Sequence, residues 1–280
     1  MAHLSDFNMR FISRLGVSTA LMTLLTTQTA KASCGLEHCP ITRDPATGLP
    51  FTSPYQLQAR AQSTSFDIDQ TKGHYHQIFV SGEYRGLKSI AIGFNVPLTR
   101  LTTPEESLSG LGNSVLYGEW RHVFSDKIAA SFGTQIELPL GTDPLLADGH
   151  AVVMPYGTIH LTLGSFYWMG NLGFAKTIDS HDHDHSNDKT PVYVNPHDNE
   201  EMVYRLGIGA PFSSKRVQPL ILIEGQQVLG HGHDRTLVQG GGRIQAHLNG
   251  SLSVHASFLV PVTTARRWEN RFQVGLIGRL

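Results

Sequence analysis

The sequence predicts an all-β protein, a transmembrane antiparallel up-and-down β-barrel of about twelve strands. Three observations predict it: segments that alternate apolar and polar residues, connections that alternate between short and long, and an export signal at the amino terminus. The composition permits this fold, since 40% of the 280 residues are hydrophobic and only 16% are charged. The formal net charge of -1 gives no basic excess, which argues against a nucleic-acid-binding protein.

The amino terminus has the organisation of a secretory signal peptide over residues 1–32. Two arginines precede a short apolar run, and the Ala-Lys-Ala sequence that ends at Ala32 forms the expected cleavage site. The run is shorter than the ~20 apolar residues of a spanning helix. Translation can start at Met1 or at Met9, because the residues before Met9 add nothing to the signal.

The only two cysteines, Cys34 and Cys39, lie in residues 33–54, which we expect to form a periplasmic amino-terminal segment. In an exported protein two nearby cysteines usually form a disulfide, which here closes a small loop. A metal or redox role for the pair is the alternative. The β-barrel is expected over residues 55–280.

The mature sequence alternates with a period of two, which indicates β-strands that have one apolar face. Ile90, Ile92 and Phe94, for example, alternate with the small residues Ala91 and Gly93. About twelve such segments of a length that suits a tilted membrane crossing follow one another. They lie near 55–66, 74–84, 88–98, 114–124, 128–140, 151–163, 166–178, 202–212, 217–229, 237–248, 251–262 and 271–280.

The connections between these segments alternate strictly between short and long. Gly164-Ser165 and Asn249-Gly250 are short, whereas residues 99–113 and 179–201 form long connections. Outer-membrane barrels have this arrangement, with tight periplasmic turns and longer external loops. A soluble β-sandwich or closed barrel would also alternate, but it has no reason to sort its connections by length. An even strand number places both chain ends on the periplasmic side.

If the apolar face meets lipid, the charged residues of the strands point into the barrel. An arginine that faces lipid at the bilayer midplane costs about 2–4 kcal/mol, so their consistent placement supports this register. Twelve strands enclose an interior between that of filled eight-stranded barrels and that of open porins. A narrow pore and a filled, non-conducting barrel therefore both remain open. The candidate pore-lining residues are Glu83, Glu119, Arg121, Glu137, Arg205, Glu224, Arg243 and Arg271.

Histidines concentrate in two of the predicted external loops, where several alternate with aspartate. Imidazole and carboxylate groups suit Zn²⁺, Cu²⁺ or Ni²⁺, so these loops form a candidate metal site. The alternative is a solvated loop that binds divalent metal only weakly. No cofactor is required by the sequence. The candidate metal ligands are His181, His183, His185, His197, His231 and His233.

Catalytic motifs give no support for an enzyme. The run Gly240 to Gly242 lies in a strand pattern and lacks the strand-to-helix context of a phosphate-binding loop. The chain has no Gly-x-Ser-x-Gly nucleophile elbow. We therefore expect a protein that is not an enzyme, with an outer-membrane enzyme as a minor alternative.

Two segments carry a resemblance to a known family. Gly110-Leu111-Gly112-Asn113 precedes a strand, and Gln135-Ile136-Glu137-Leu138-Pro139-Leu140-Gly141-Thr142 ends the next one. This pattern resembles the outer-membrane barrels of the MetA-pathway of phenol degradation family, which have Asp at the place of Asn113 and Thr at the place of Leu140. The resemblance implies a porin-like channel or transporter for small molecules. It implies no particular substrate or binding residue.

These expectations combine into one functional prediction. The chain is predicted to lie in the outer membrane of a Gram-negative bacterium, in contact with lipid, and to pass small molecules or ions. A structural or adhesive barrel without an open pore is the alternative. The oligomeric state does not follow from the sequence.

Overall fold

In the computed structural model the described residues are 54–68, 71–87, 89–125, 127–143, 145–147, 150–178, 200–210, 217–229, 236–249, 251–263 and 268–280. The predicted signal peptide and the segment that contains Cys34 and Cys39 lie outside these residues. The candidate metal ligands also lie outside them: His181, His183, His185, His197, His231 and His233.

The described residues form antiparallel β-strands joined by turns and loops. Within these ranges no helix is long and apolar enough to cross a membrane. The strands are β1 (Tyr55–Ile68), β2 (Thr71–Leu87), β3 (Ile90–Thr102), β4 (Ser107–Leu111), β5 (Ser114–Ser125), β6 (Ile128–Leu138), β7 (Ala151–Leu163), β8 (Phe166–Ile178), β9 (Glu200–Gly209), β10 (Val217–Val228), β11 (Thr236–His247), β12 (Leu252–Pro261) and β13 (Asn270–Arg279).

Twelve of these strands close into a barrel. Successive strands pair antiparallel, β1 pairs with β13, and β2 pairs with β3, so the sheet has no open edge among these twelve. The short strand β4 stands outside the ring and, among the described strands, pairs with the end of β3. Closure matters because an open edge would leave backbone N–H and C=O groups unpaired in lipid. The predicted all-β class and the predicted strand number are confirmed.

Several strand ends differ from the predicted ones; β2, for example, runs from Thr71 to Leu87 rather than over residues 74–84. One region also gains a strand. β3 continues to Thr102, and the connection predicted as a long loop over residues 99–113 contains β4. Here β3 pairs with β2 on one side and with β4 on the other, from Leu98 to Thr102, while its first half pairs with β5. The extra strand satisfies the backbone hydrogen bonds that β5 does not reach.

The strict alternation of short and long connections is wrong between β1 and β2, where the sequence predicts a long connection but β1 ends at Ile68 and β2 begins at Thr71. The short connection between β7 and β8 is tight, as predicted. Between β7 and β8 only Gly164 and Ser165 separate the strands, and Gly164 has a φ of 60°. A two-residue hairpin loop needs this left-handed conformation, and glycine adopts it without a steric penalty. We call this end of the barrel, where the short turns lie, the inner end, and the end with the longer connections the outer end.

The outer wall of the barrel is apolar. Along β3 exposure alternates residue by residue, with Ile92, Phe94 and Leu98 on the outside. Phe132 and Ile221 are 62% and 65% exposed. Leaving such side chains in water costs about 25 cal/mol for each Å² of apolar surface. A hydrocarbon environment removes this cost, so the wall suits a bilayer.

The interior is more apolar than the alternation predicted. Two groups of buried apolar side chains face inwards alongside the predicted interior charges. The period-two pattern identifies which residues share a face but cannot show that both faces of one strand carry apolar side chains. The first group is Val152, Met154, Tyr156, Ala175 and Val203, and the second is Tyr167, Met169, Leu220, Leu222 and Leu259.

A third apolar group lies at the outer end. It combines strand residues with residues of the connections after β6 and before β13, and its members are between 0% and 7% exposed. We call this group the outer cap. It consists of Phe66, Tyr75, Leu101, Leu146 and Trp268, against which Leu108 and Leu145 pack.

Candidate functional site

The eight candidate residues all point towards the interior of the barrel. Arg121 and Arg243 are partly exposed, whereas the other six are at most 8% exposed. The structure brings six of them together in two groups on different walls. Arg243 instead donates to Gln245 of its own strand, and one candidate lies near the outer end. That one is Glu137, which accepts a hydrogen bond from Asn113.

The first group, which we call the glutamate–tyrosine group, lies on the wall formed by β2 to β7. Arg121 forms ion pairs with Glu119 and, at 3.4 Å from Nη1 to Oε1, with Glu83. The hydroxyl of Tyr117 donates to Oε2 of Glu83 at 2.8 Å, and that of Tyr156 donates to Oε2 of Glu119 at 2.9 Å. Each carboxylate is therefore held by a cation and by a phenol.

Glycines on neighbouring strands make room for these tyrosines. Tyr117 pairs with Gly93, and Tyr156 pairs with Gly133. A Cβ atom on Gly133 would stand 2.7 Å from Cζ of Tyr156, and one on Gly93 would overlap the ring of Tyr117. Each ring thus lies flat across the neighbouring strand, which carries its hydroxyl to the glutamate beyond.

The second group, which we call the arginine group, lies on the wall formed by β9 to β13. Glu224 is its centre: Oε1 is 2.6 Å from Nη2 of Arg205, and Oε2 is 2.9 Å from Nη2 of Arg271. Nη2 of Arg271 also donates to Oε1 of Gln239 at 2.8 Å, and its guanidinium lies 5.0 Å above the ring of Trp268. The group therefore connects the interior wall to the outer cap.

A row of hydrogen-bonded polar side chains links the walls across β12, β13, β1, β2 and β3. Ser257 donates to Gln273 at 3.1 Å, and Gln273 donates to Gln62 at 2.6 Å. Gln62 donates to Gln77 at 3.3 Å, and Gln77 donates to Thr99 at 3.1 Å. Each residue occupies the register position opposite the next, so the row follows from the strand pairing.

Several interior groups are missing from the candidate residues although their signal is present in the sequence, among them Arg60 and His255. Arg60 is 7% exposed and lies 4.0 Å above the ring of Phe79, and Arg205 and Glu224 are close enough for their charges to act on it. His255 is 5% exposed. Both stand at inward positions of an alternating strand. The alternation of inward and outward side chains that identified Arg205 could therefore have identified them.

The two segments that carry the family resemblance meet at the outer end. The backbone N–H of Thr142 donates to the carbonyl of Leu111 at 3.1 Å, and that of Leu111 donates to Oγ1 of Thr142 at 3.1 Å. Asn113 donates to Glu137 at 2.9 Å. The motif residues therefore tie β4 to the connection after β6, which supplies Leu146 to the outer cap.

No group of three or more histidine, cysteine, aspartate or glutamate side chains that could hold a metal ion occurs among the described residues. The candidate metal site in the external loops lies outside them and stays a prediction.

The chain has the fold of outer-membrane β-barrels, and known structures share it. It superimposes on the COG4313 outer membrane channel from Pseudomonas putida F1 with a TM-score of 0.68, at 9% identity, over 84% of this chain and 98% of that one. The NanC porin matches with a TM-score of 0.54, at 8% identity, over 80% of this chain and 100% of that one. The KdgM porin in complex with disordered oligogalacturonate matches with a TM-score of 0.51, at 10% identity, over 80% of this chain and 99% of that one.

These likenesses establish the architecture. No family model matches the chain, and no curated protein matches its sequence. The specific resemblance to the MetA-pathway of phenol degradation family therefore stays a prediction.

Proposed function

We propose that the protein is an outer-membrane channel for small solutes. The observation that carries the proposal is the contrast between an apolar outer wall and an interior rich in charge. Outer-membrane channels combine the same two surfaces. Among the described residues the inward-pointing charges are seven arginines and five glutamates: Arg60, Arg85, Arg121, Arg205, Arg243, Arg271, Arg279, Glu83, Glu119, Glu137, Glu201 and Glu224.

An interior rich in charge is energetically unfavourable when it contains no water. Taking one ion out of water costs several kcal/mol even after relaxation, and its partner compensates only when the geometry is good. A barrel that served only as a scaffold would be more stable with an apolar filling. The charged lining therefore supports an interior that admits water.

Buried polar atoms without a hydrogen-bond partner among the described residues also support an interior that admits water. Nε2 of Gln135, Nδ1 of His160 and Nδ1 of His255 are buried and have no hydrogen-bond partner among the described residues. Buried polar atoms normally find a partner, and water supplies it where protein does not. The interior thus offers positions for ordered water along several strands.

The non-conducting barrel is a second candidate, and one observation favours it. Most interior polar side chains are less than 9% exposed, and the outer cap packs side chains of several strands and connections together at the outer end. If the barrel is a channel, its passage must be narrow, and the outer cap must open before solutes can pass. Conductance separates the two candidates.

The test uses the mature chain, folded in detergent and added to a planar lipid bilayer in KCl. We expect discrete conductance steps that are small compared with those of the wide 16–18-stranded porins. Heat-modifiable gel mobility identifies the folded fraction. Folded protein that inserts and never conducts would establish the structural barrel instead.

The location is part of the proposal. We expect the protein to fractionate with the outer membrane of a Gram-negative bacterium and to begin at Ser33 after the signal peptide is removed. Amino-terminal sequencing of the membrane fraction checks both points. Recovery of the mature chain in a detergent-free soluble fraction would contradict them.

A further inference from the structure

A row of polar side chains crosses the outer wall of the barrel at its outer end. His76 of β2 pairs with Ser63 of β1 on one side and with Arg100 of β3 on the other. Arg100 pairs in turn with Ser109 of β4. Partners in antiparallel strands carry their side chains on the same face. His76, Arg100 and Ser109 are exposed, so this face is the outside of the barrel. We call these four residues the basic row.

The next row towards the middle of the wall is apolar. Ile78 pairs with Ala61 on one side and with Leu98 on the other. Leu98 pairs in turn with Leu111. Ile78 and Leu98 are 55% and 51% exposed, so the apolar wall extends up to the basic row. The wall therefore changes from apolar to polar over two residues of each strand.

The height of this change matches the edge of the hydrocarbon core of a bilayer. β3 begins at Ile90 near the inner end and reaches Arg100 ten residues later. At about 3.3 Å per residue and a tilt of about 40°, this stretch rises about 25 Å along the barrel axis, which is the height of the apolar band of outer-membrane barrels. The basic row thus lies at the level of lipid headgroups. Glu105 and Glu106 lie in the turn that follows β3, still further from the middle of the wall.

The basic row contains an outward-facing cation whose partners across the strands are not acidic. The outward-facing lysine and arginine side chains of the described strands are Lys72, Arg100 and Lys176. Nζ of Lys72 is 3.6 Å from Oδ2 of Asp67, and Lys176 stands opposite Glu200. Arg100 stands instead between an imidazole and a hydroxyl group. The row therefore presents positive charge together with hydrogen-bond donors.

These groups suit a phosphate. The guanidinium of Arg100 is a planar fork that binds two phosphate oxygens at once. The imidazole of His76 and the hydroxyl of Ser109 stand on either side of it and can donate to further oxygens. The ring of His74 lies 5.2 Å from that of His76, edge to face, and adds a second imidazole. A single phosphate can thus be held by several side chains of three strands.

The apolar row beside the basic row favours a lipid over a free phosphate ion. The side chains of the basic row are exposed, so a free ion gains nothing from enclosure there and competes with water for every contact. A lipid whose phosphate contacts Arg100 can continue its acyl chains along Ile78 and Leu98 into the hydrocarbon. Both surfaces are then used by one molecule.

We propose, resting on the outer-membrane location of the proposed channel, that the basic row binds the phosphate of a lipid in the outer leaflet. Arg100 and His76 are its main contacts, and the acyl chains lie along Ile78 and Leu98. A lipid bound in this way fixes the height of this wall in the membrane.

Native mass spectrometry of the detergent-folded mature chain counts bound lipids, with dipalmitoyl phosphatidate as the probe. Dipalmitoylglycerol has the same chains without the phosphate, and inorganic phosphate competes for the headgroup contacts alone. We expect phosphatidate to bind about tenfold more tightly than dipalmitoylglycerol, because the charge-assisted hydrogen bonds need the phosphate. Equal binding of the two lipids would refute the phosphate site. Displacement of phosphatidate by an equimolar amount of inorganic phosphate would refute the lipid as the source of the phosphate.

Substitutions locate the site. We expect Arg100→Gln to weaken phosphatidate binding by about tenfold and His76→Gln by about threefold, since a charged donor contributes more than a neutral one. Lys176→Gln is the matched control, because it removes an outward-facing cation at the outer end of β8, on another wall. It should leave binding within about twofold. Equal losses from Arg100→Gln and Lys176→Gln would reduce the effect to overall charge and overturn the assignment.

The substituted side chains are exposed, so we expect the variants to fold, and heat-modifiable mobility checks this. If Arg100→Gln does not fold, Arg100→Lys keeps the charge without the planar fork and should weaken binding by about threefold. Undiminished binding to it would refute the two-bonded contact.

The lipid site and the channel are tested separately. Conductance in KCl needs no phosphatidate, and lipid counting needs no open pore. A protein that selects phosphatidate without conducting would refute the channel only. A protein that conducts without selecting phosphatidate would refute this site only.

Discussion

At the residue scale, one inward-facing glycine has no room for a side chain. Gly241 of β11 pairs with Leu222 and with Leu259, and a Cβ atom there would overlap the carbonyl oxygen of Phe258 and lie 2.9 Å from its carbon. These are backbone atoms, so the neighbouring strand itself must move. We expect Gly241→Ala to lower the free energy of unfolding by about 1–3 kcal/mol. Urea titration of the folded protein measures it.

The next residue supplies the control. Gly242 faces outwards, and a Cβ atom there would lie 3.6 Å from the nearest neighbour, the carbonyl oxygen of Leu220, which is an ordinary contact. Gly242→Ala should leave stability within about 0.5 kcal/mol. Equal losses from the two substitutions would show that the contact with β12 is not the cause.

Residue parity was the most informative signal in the sequence. Side chains alternate strictly between the two faces of a strand, so the apolar face of β9 placed Arg205 in the interior and that of β10 placed Glu224 there. The two residues are partners in the pairing of these strands. The contacts between interior charges could not be predicted in the same way. Arg271 reaches Glu224 across β11 and β12, and this depends on barrel closure rather than on local sequence.

At the scale of elements, β4 and two connections build the outer cap. Asp143 holds a tight turn: its Oδ1 accepts from the N–H of Leu145 at 2.9 Å, and its carbonyl accepts from that of Leu146 at 3.0 Å. Thr142 fastens this turn to Leu111 of β4. A period-two pattern does not predict such a structure, because a cap depends on residues that meet only when the barrel is closed.

We expect weakening of the cap to raise the conductance. Trp268→Ala and Leu146→Ala each remove a buried apolar side chain, which costs the closed arrangement about 2–5 kcal/mol. The barrel remains folded, because strand pairing and not the cap closes the ring. Single-channel recording should show a larger open fraction than in the unaltered protein.

The control removes a comparable side chain from the other end. Leu163 is 58% exposed at the end of β7, so Leu163→Ala should leave the open fraction unchanged. Cap variants that fold and gate like the unaltered protein would show that the outer cap is permanently closed.

The connection between β8 and β9 carries the histidine-rich segment. We expect it to bind Zn²⁺ or Cu²⁺ in the micromolar range, since alternating histidine and aspartate supply several ligands close together in the sequence. Joint replacement of His181, His183 and His185 by Ala should abolish this binding in a metal titration. Replacement of His74 and His76, two exposed histidines of β2, is the control. Equal binding by both variants would refute the metal hypothesis.

At the scale of the whole molecule, the moderate charge and hydrophobicity of the chain result from averaging two surfaces. Large apolar side chains occupy the outside of every barrel strand, whereas arginine, glutamate and glutamine concentrate inside. The strand number and the face on which the interior charges lie followed from this separation. The apolar groups of the interior did not, because they dilute the contrast between the faces without changing the period.

Depth within the bilayer provides a test of the architecture as a whole. Val274 is the fifth residue of the ten in β13 and faces outwards, whereas Val262 follows the end of β12 at the outer end. Arginine costs about 2–4 kcal/mol at the bilayer midplane and about 0–1 kcal/mol near the interface. Val274→Arg should therefore destabilise the protein in phosphatidylcholine vesicles by the larger amount and Val262→Arg by the smaller one. Denaturant unfolding from vesicles measures both, and a small loss at both positions would mean that this wall does not face hydrocarbon.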